Sequence, residues 1–376
     1  MAIQHGYGKL AGTDALVFAY DTGDTRNSFK GEPIENILAL GGSDTEAERS
    51  GTSYPYYSIN IDSYIQERWT PENNILTLSY EGKRDYVAGG TGGGNDGYPV
   101  YYIYFTDWSW ASTRGISAYD WAYTKQTFTM PDPSTKSVRF AIYHMNAGNR
   151  GRSYSRKHML TFGDHAVPFV NGVRSETEGL LDLTGNRLLN LSTVSFNSAA
   201  DMIFDGTDDM IELTDNPQNG ATQASWEFVT KFDLIHDSET STYRQLYIQE
   251  SSVWIGQYFN YIGLDIKKDN NVWFDGNGGR NTNSKMGPVN SGQYYHVVIT
   301  WDGTNAKGYL NGELNFTTPI SGLTSLRNGS TPRRIGRRSG NPLMGEMPIV
   351  KLYTKALTAA EAVQNFNHYK TRFNIA

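Results

Sequence analysis

The chain has 376 residues, among them 25 Tyr, 8 Trp and 39 Gly, with 19% charged residues and a formal net charge of −6. With no cysteine it holds no disulfide, thiolate nucleophile or Cys-based zinc site, and with no broad basic field it is poorly suited to nucleic acid or to an anionic membrane surface. No apolar run approaches the ~18 residues that span a bilayer, and the length suits two domains.

The opening "MAIQHGYGKLAG" lacks a basic region followed by an apolar one, so no signal peptide is read there. Together with the absence of cysteine this fits assembly in a reducing cytoplasm. Residues 1–50 hold one apolar strand, Ala15 to Tyr20, followed by turn-formers and a proline. The segment is too short and too polar for a core of its own. It reads either as an extended arm ordered against a second domain, another subunit or a larger assembly, or as a plain strand added to a neighbouring sheet. On the first reading Phe18 and Tyr20 are candidate assembly contacts.

From 51 to about 175 the pattern is short strands. "NNILTLSYEG" alternates Leu76, Leu78 and Tyr80 against Ile75, Thr77 and Ser79. "YPVYYIYFTDWSW" reads as one long aromatic strand, and "KQTFTM" and "SVRFAIYHM" follow around the turn "PDPSTK". "AGGTGGGNDG" is a flexible loop, and lacks the Lys-Ser/Thr and the helix of a phosphate cradle. No amphipathic helix is read here, so the segment is expected to be an antiparallel jelly roll. "HAVPFVNGVRSETEGLLDLTGN" is the join, placing a boundary near 175.

From 176 to 376 strands resume. "YYHVVITWDG" and "KGYLNGEL" form the clearest hairpins, with Asn311-Gly312 as a turn. Val297, Ile299 and Trp301 share one face, which makes Trp301 core. Near the end Thr358 and Glu361 have capping-box spacing, and Ala362, Phe366 and Tyr369 form one stripe of a short terminal helix. The fold expected is all-β: an N-terminal arm (1–50), a jelly roll (51–175) and a second antiparallel sandwich (176–376) closed by that helix.

Several pieces of the second half carry a resemblance: "LLDLTGN", "MIFDGTDDMIEL", "YYHVVITWDGTNAKGYLNGEL", "RRIGRR" and "GEMPIVKLYTKALTAAEAVQNFN". In order and spacing this half resembles the laminin-G-like, concanavalin A-like family, which implies a two-sheet jelly roll of about a dozen strands. "SVRFAIYHM" and "AVPFVNG" make the first half similar, more loosely, to carbohydrate-binding-module jelly rolls. With "LVFAYDTGD", "NSFKGEP" and "PFVNGVRS" the whole arrangement resembles structural proteins of tailed bacteriophages, marine and cyanobacterial ones in particular. That resemblance implies a virion component: a tail fibre, a tail adhesin or a head decoration. Its partners would be other virion proteins, further copies of itself, a trimer among the arrangements, and host-surface glycans. A purely architectural capsid or tail stabiliser and a glycan depolymerase are the alternatives.

Candidate site residues divide into three groups. Asp205, Asp208 and Asp209 in "FDGTDD" could offer oxygens to Ca²⁺, the one cofactor the sequence suggests. The same residues have turn chemistry, and no D-x-D-x-D-G loop is present. Trp108 and Trp110, and Trp254, Tyr258 and Tyr261, are candidate sugar-stacking aromatics if they face outward and core if they face inward. Arg333, Arg334, Arg337 and Arg338 put charge on both faces of a strand, which suggests a sheet edge or an intersubunit contact. The chain has no E-x-D-x-x-E, G-x-S-x-G, H-E-x-x-H or P-loop motif, and its seven histidines show no metal spacing, so no catalytic residue is assigned.

Overall fold

In the computed structural model the described residues are 10–42, 44–46, 48–51, 56–84, 98–105, 110–113, 120–135, 138–145, 153–213, 215–233, 244–249, 253–258, 261–266, 284–320, 322–326, 333–337 and 342–376. They form two compact units. One comprises the chain through Gly31 with Glu176–Asn197 and Asp201–Ala376, and the other comprises Glu32–Ser175 with Ser198–Ala200. All strand pairings quoted below are antiparallel.

The larger unit stacks two sheets. In the first, strands follow the order Ser195–Phe196, Met202–Asp205, Met344–Tyr353, Ala224–Phe232, Tyr294–Trp301, Asn305–Leu310 and Glu313–Pro319. The second runs Leu189–Asn190, Ile211–Leu213, Arg333–Ile335, Arg244–Gln249, Val253–Tyr258, Tyr261–Ile266 and Lys285–Met286. Alternation decides what lies between them. Trp226, Phe228, Val297, Ile299 and Trp301 from one sheet meet Tyr247, Ile255, Ile211 and Ile335 from the other, all buried in one core. The hairpin turn at Asn311 and Gly312 has φ of 51° and 81°, which the sequence pair tolerates.

Among the described residues, 10–31 are part of this unit and those from 32 to 51 part of the other, and the second of the two readings, a strand added to a neighbouring sheet, is the one the structure shows. Leu16–Asp21 pairs with Met344–Tyr353 and extends the first sheet. Phe18 and Tyr20 are wholly buried in its core, with the Tyr20 hydroxyl donating to the Met347 carbonyl at 3.0 Å. They have no surface to offer a partner, which corrects their reading as assembly contacts.

Helix Ala359–Lys370 covers the outer face of the first sheet. Thr358 caps it through the capping box with Glu361. Beneath it lies a fully buried polar network centred on Glu227. Its Oε1 is 3.1 Å from His296 Nε2. Its Oε2 accepts from Asn365 Nδ2 at 3.0 Å and from the Tyr353 hydroxyl. Burial alone would raise the Glu227 pKa, but the charge of Lys351 and the hydrogen bonds from His296 and Tyr353 outweigh it and hold the group at about 2.

The smaller unit is a second sandwich. One sheet runs Arg49–Gly51, Ser153–Phe162, Ile75–Arg84, Ala122–Thr129, and the other Tyr56–Asn60, Val138–Met145, Tyr98–Phe105, Trp110–Thr113. Leu76, Leu78, Tyr80 and Leu160 form the inner face of the first sheet, packed with Ile37, Leu38, Ile61 and Ile65. Ile65 belongs to a short helix, Asp62–Arg68, that the sequence reading lacked, and Ile61 is the residue just before it. Asn60 Oδ1 accepts from Asp62 N at 2.8 Å, an Asx turn that leads the chain into the helix. Asn36 ties this unit together from within: its Nδ2 donates to the carbonyls of His158 at 2.9 Å and Val170 at 3.0 Å.

Two outcomes follow for stability. Phe18→Ala should cost about 3–5 kcal/mol of unfolding free energy in urea titrations, as deletion of a core phenylalanine does. Glu227→Ala should cost about 3–5 kcal/mol at pH 7, because the partner charge of Lys351 is left buried. A carboxylate whose pKa is depressed in the fold stabilises above its unfolded value and loses that effect as pH falls through its folded one. The Glu227→Ala penalty should therefore fade between pH 4.5 and about 2.

Candidate functional site

The acidic stretch comes first. The ligand oxygens of Asp205, Asp208 and Asp209 lie within 4.8 Å of one another, and Asp209 is fully buried. Hydrogen bonds turn the Asp205 and Asp209 carboxylates toward the chain. Asp209 Oδ2 accepts from Asp205 N at 2.5 Å and its Oδ1 from Ser195 Oγ at 3.2 Å. Asp205 Oδ1 accepts from Thr207 N at 2.7 Å. Arg337 Nη1 donates to the Asp208 carbonyl at 3.0 Å, placing a guanidinium beside the cluster. Across the turn Gly336, at φ 89°, lets the Phe204 ring approach, since a Cβ there would lie 2.3 Å from it. Calcium takes six to eight oxygens. Asp205 and Asp209 are used to close a turn and Arg337 stands against it, which leaves too few oxygens for a calcium cage.

Burial pushes the Asp209 carboxyl up to about 6.

The arginine run is not an edge. Arg333–Ile335 lies between Ile211–Leu213 and Arg244–Gln249, inside its sheet. Arg333 is buried with Ile335 on the core side, and Arg334 pairs outside with Glu212, opposite it in register, at 3.0 Å. With Arg337 engaged by the Asp208 carbonyl, these three serve the unit's own architecture. This corrects the edge reading, and burial removes Arg333 as an intersubunit contact; Arg338 lies outside the described residues.

The expected aromatic platforms are placed by backbone alone. Trp254 and Tyr258 lie on Val253–Tyr258, which forms a hairpin with Tyr261–Ile266, and Tyr258 is opposite Tyr261. Trp254 alternates with buried Val253 and Ile255. Trp110 begins the strand Trp110–Thr113 opposite Tyr104, while Trp108 lies outside the described residues. The long strand expected from Tyr98 to Trp110 is thus two strands, Tyr98–Phe105 and Trp110–Thr113.

A different aromatic surface stands on the outer face of the smaller unit. Register builds it in two rows across three strands. Tyr123, Glu81 and Arg156 are opposite one another, and Lys83 pairs with Tyr154 in the next row. Trp121, just before Ala122–Thr129, completes that second row. Arg156 lays its guanidinium 3.9 Å from the Trp121 ring centroid. Lys83 Nζ is 5.0 Å from Trp121 and 4.7 Å from Tyr154. Each is within cation–π range. Arg156 Nε also reaches Glu81 Oε2 at 2.7 Å, and Lys157 Nζ reaches Oε1 at 2.8 Å. Burial raises the Glu81 pKa, but these two cations outweigh it and keep the carboxyl below its ordinary 4.5. Tyr123 stands 57% exposed beside them. The other end of the same face is covered: Thr77 Oγ1 donates to the Gly163 carbonyl at 2.7 Å, and Met159 packs on Val167 and Ala200.

Sequence reading missed this surface. Its signal is the outward alternation Glu81/Lys83, Trp121/Tyr123/Lys125 and Tyr154/Arg156 in three segments far apart in the chain. Nothing local says that the three lie side by side.

Residues 205–363 match the Laminin_G_3 family model, described as the concanavalin A-like lectin/glucanases superfamily. The larger unit has this concanavalin A-like, laminin-G-like fold. Solved structures similar to the chain include the binding domain of Paraclostridial Mosquitocidal Protein 1, at 15% identity and TM-score 0.41, covering 50% of this chain and 49% of that one. Another is the ligand binding domain of botulinum neurotoxin serotype D in complex with N-acetylneuraminic acid, at 17% identity and TM-score 0.39, covering 51% and 49%. The chain spans about half the length of these structures. No curated protein matches it.

The Asp209 geometry has a measurable consequence. A carboxyl with a raised pKa destabilises the fold above that value and stops doing so as pH falls below it. Asp209→Asn should therefore raise the melting temperature relative to wild type more at pH 8 than at pH 5. The wild-type melting temperature should be the same in calcium and in chelator.

Proposed function

We propose that the protein is a non-enzymatic, glycan-binding structural component of a tailed-phage particle, serving as an adhesin or head-decoration subunit and acting as a homo-oligomer. The open aromatic and cationic face built by Trp121, Tyr123, Lys83, Tyr154 and Arg156 carries the binding part of this reading. An exposed ring beside fixed hydrogen-bond donors is the equipment with which proteins hold sugars, by stacking and by donation to oxygens. The lectin-like fold of residues 205–363 supports the same class of ligand. The virion assignment rests on the resemblance of the chain's segments to phage structural proteins. The non-enzymatic reading rests on the absence of an E-x-D-x-x-E strand from the sequence.

A glycan array incubated with the full chain tests the binding. Specific glycans should be retained, with calcium and with chelator alike, and no reducing ends should accumulate over hours. Silence across the array would leave an architectural subunit, and reducing-end release would make the protein a depolymerase. Antibody labelling of particles by electron microscopy tests location: label should decorate virions, and unlabelled virions would refute the assignment.

A further inference from the structure

Resting on the glycan-binding reading, we infer that the open face of the smaller unit selects acidic polysaccharides, those bearing carboxylate or sulfate groups, over neutral ones. Arg156 and Lys157 converge there on a single carboxylate, Glu81, and Lys83 stands two residues along the same strand, opposite Tyr154. Lys125 is exposed one step along the neighbouring strand, opposite Ser79. The face is thus cationic in a chain whose net charge is −6, a local reversal of sign. Charge complementarity therefore points to an anionic ligand.

The cations are also held in advance. Trp121 supports Arg156 and Lys83 from beneath, Tyr154 flanks Lys83, and Glu81 ties Arg156 to Lys157. Long side chains ordered before binding lose less freedom when a ligand arrives. With cations resting on its ring, Trp121 organises charge. The exposed ring of Tyr123 is the surface against which a sugar lies. Arg156 still has guanidinium donors beyond the Nε that meets Glu81, and a guanidinium suits the fork of a carboxylate or sulfate.

Among polyanions, the arrangement favours a saccharide over nucleic acid. Nucleic-acid affinity accumulates over about 6–10 phosphate contacts, and a handful of cations around one tyrosine is too small a field for that. An acidic saccharide needs only one or two charges met and one ring face covered.

The test uses the full chain with two matched pairs: polygalacturonate against its methyl ester, and dextran sulfate against dextran. Binding is read by calorimetry at low and high salt. At least one acidic member should bind ~10-fold or more tighter than its neutral partner, the size of one charged contact, and added salt should weaken it. Lys83→Gln and Arg156→Gln should each reduce that affinity several-fold with an unchanged melting curve, whereas Lys285→Gln on the other unit should not. Equal binding of the acidic and neutral members would overturn the inference while leaving a glycan-binding protein. Binding of no glycan here or on the array would refute the glycan-binding reading itself. Tighter binding of a poly-glutamate peptide or of single-stranded DNA than of either acidic polymer would overturn the saccharide assignment. Acidic binding that survives both variants would place the site elsewhere.

Discussion

Glu227 fixes the larger unit. It sits on the outer face of a central strand, and the groups that meet its two oxygens come from three other elements: His296, Tyr353 and Asn365. Lys351, directly opposite in register, supplies the countercharge and itself donates to the Tyr369 hydroxyl on the helix. Burying a carboxylate unaided costs several kcal/mol, so the arrangement survives only with every partner present. Slipping either neighbouring strand by one residue would remove those partners and turn that strand's own core residues, Val297 and Ile299 or Val350 and Leu352, away from the core. One ionised group thus ties strand register to the docking of Ala359–Lys370, and through register to the aromatic layer between the sheets.

The smaller unit contains a second carboxylate with cationic partners, in the opposite circumstances. Glu81 also lies mid-sheet on an outer face and also draws neighbouring strands together through Arg156 and Lys157. Among the described residues no helix covers it; the segment around Gly163 to Val170 covers only the far end of that face. Covered, such a network stabilises and nothing more. Open to water, it holds charged groups in a fixed pattern that a ligand can meet. On the proposed reading, the same motif serves architecture in one sandwich and recognition in the other. Surface ion pairs of this kind add little to stability.

Local signals in the sequence were sufficient where the relevant partners are close in the chain. The alternation around Trp301, the Asn311-Gly312 turn and the Thr358/Glu361 cap all appear in the structure as the residues imply. The family resemblance of the second half identified its sandwich as well. What depended on distant pairing was not legible. Leu16–Asp21 reads as either an arm or an added strand because the strand that receives it, Met344–Tyr353, is more than three hundred residues away. Arg333 reads as edge charge because nothing local shows that Ile211–Leu213 and Arg244–Gln249 flank it. The helix Asp62–Arg68 is too short for helical periodicity to stand out, with only Ile65 and the preceding Ile61 as a buried pair. The open face was invisible for the same reason as the arm: Glu81, Tyr123 and Arg156 meet only once register is set.

The central claim is that a sandwich face, and not a buried acidic centre, is where this protein meets its ligand. Titrating ¹⁵N-labelled protein with an acidic oligosaccharide while following the tryptophan indole resonances tests it most directly. The account predicts that the Trp121 indole shifts in proportion to saturation while those of Trp226 and Trp301, sealed in the other core, stay fixed. A saturable shift of the core indoles with Trp121 unmoved would contradict it.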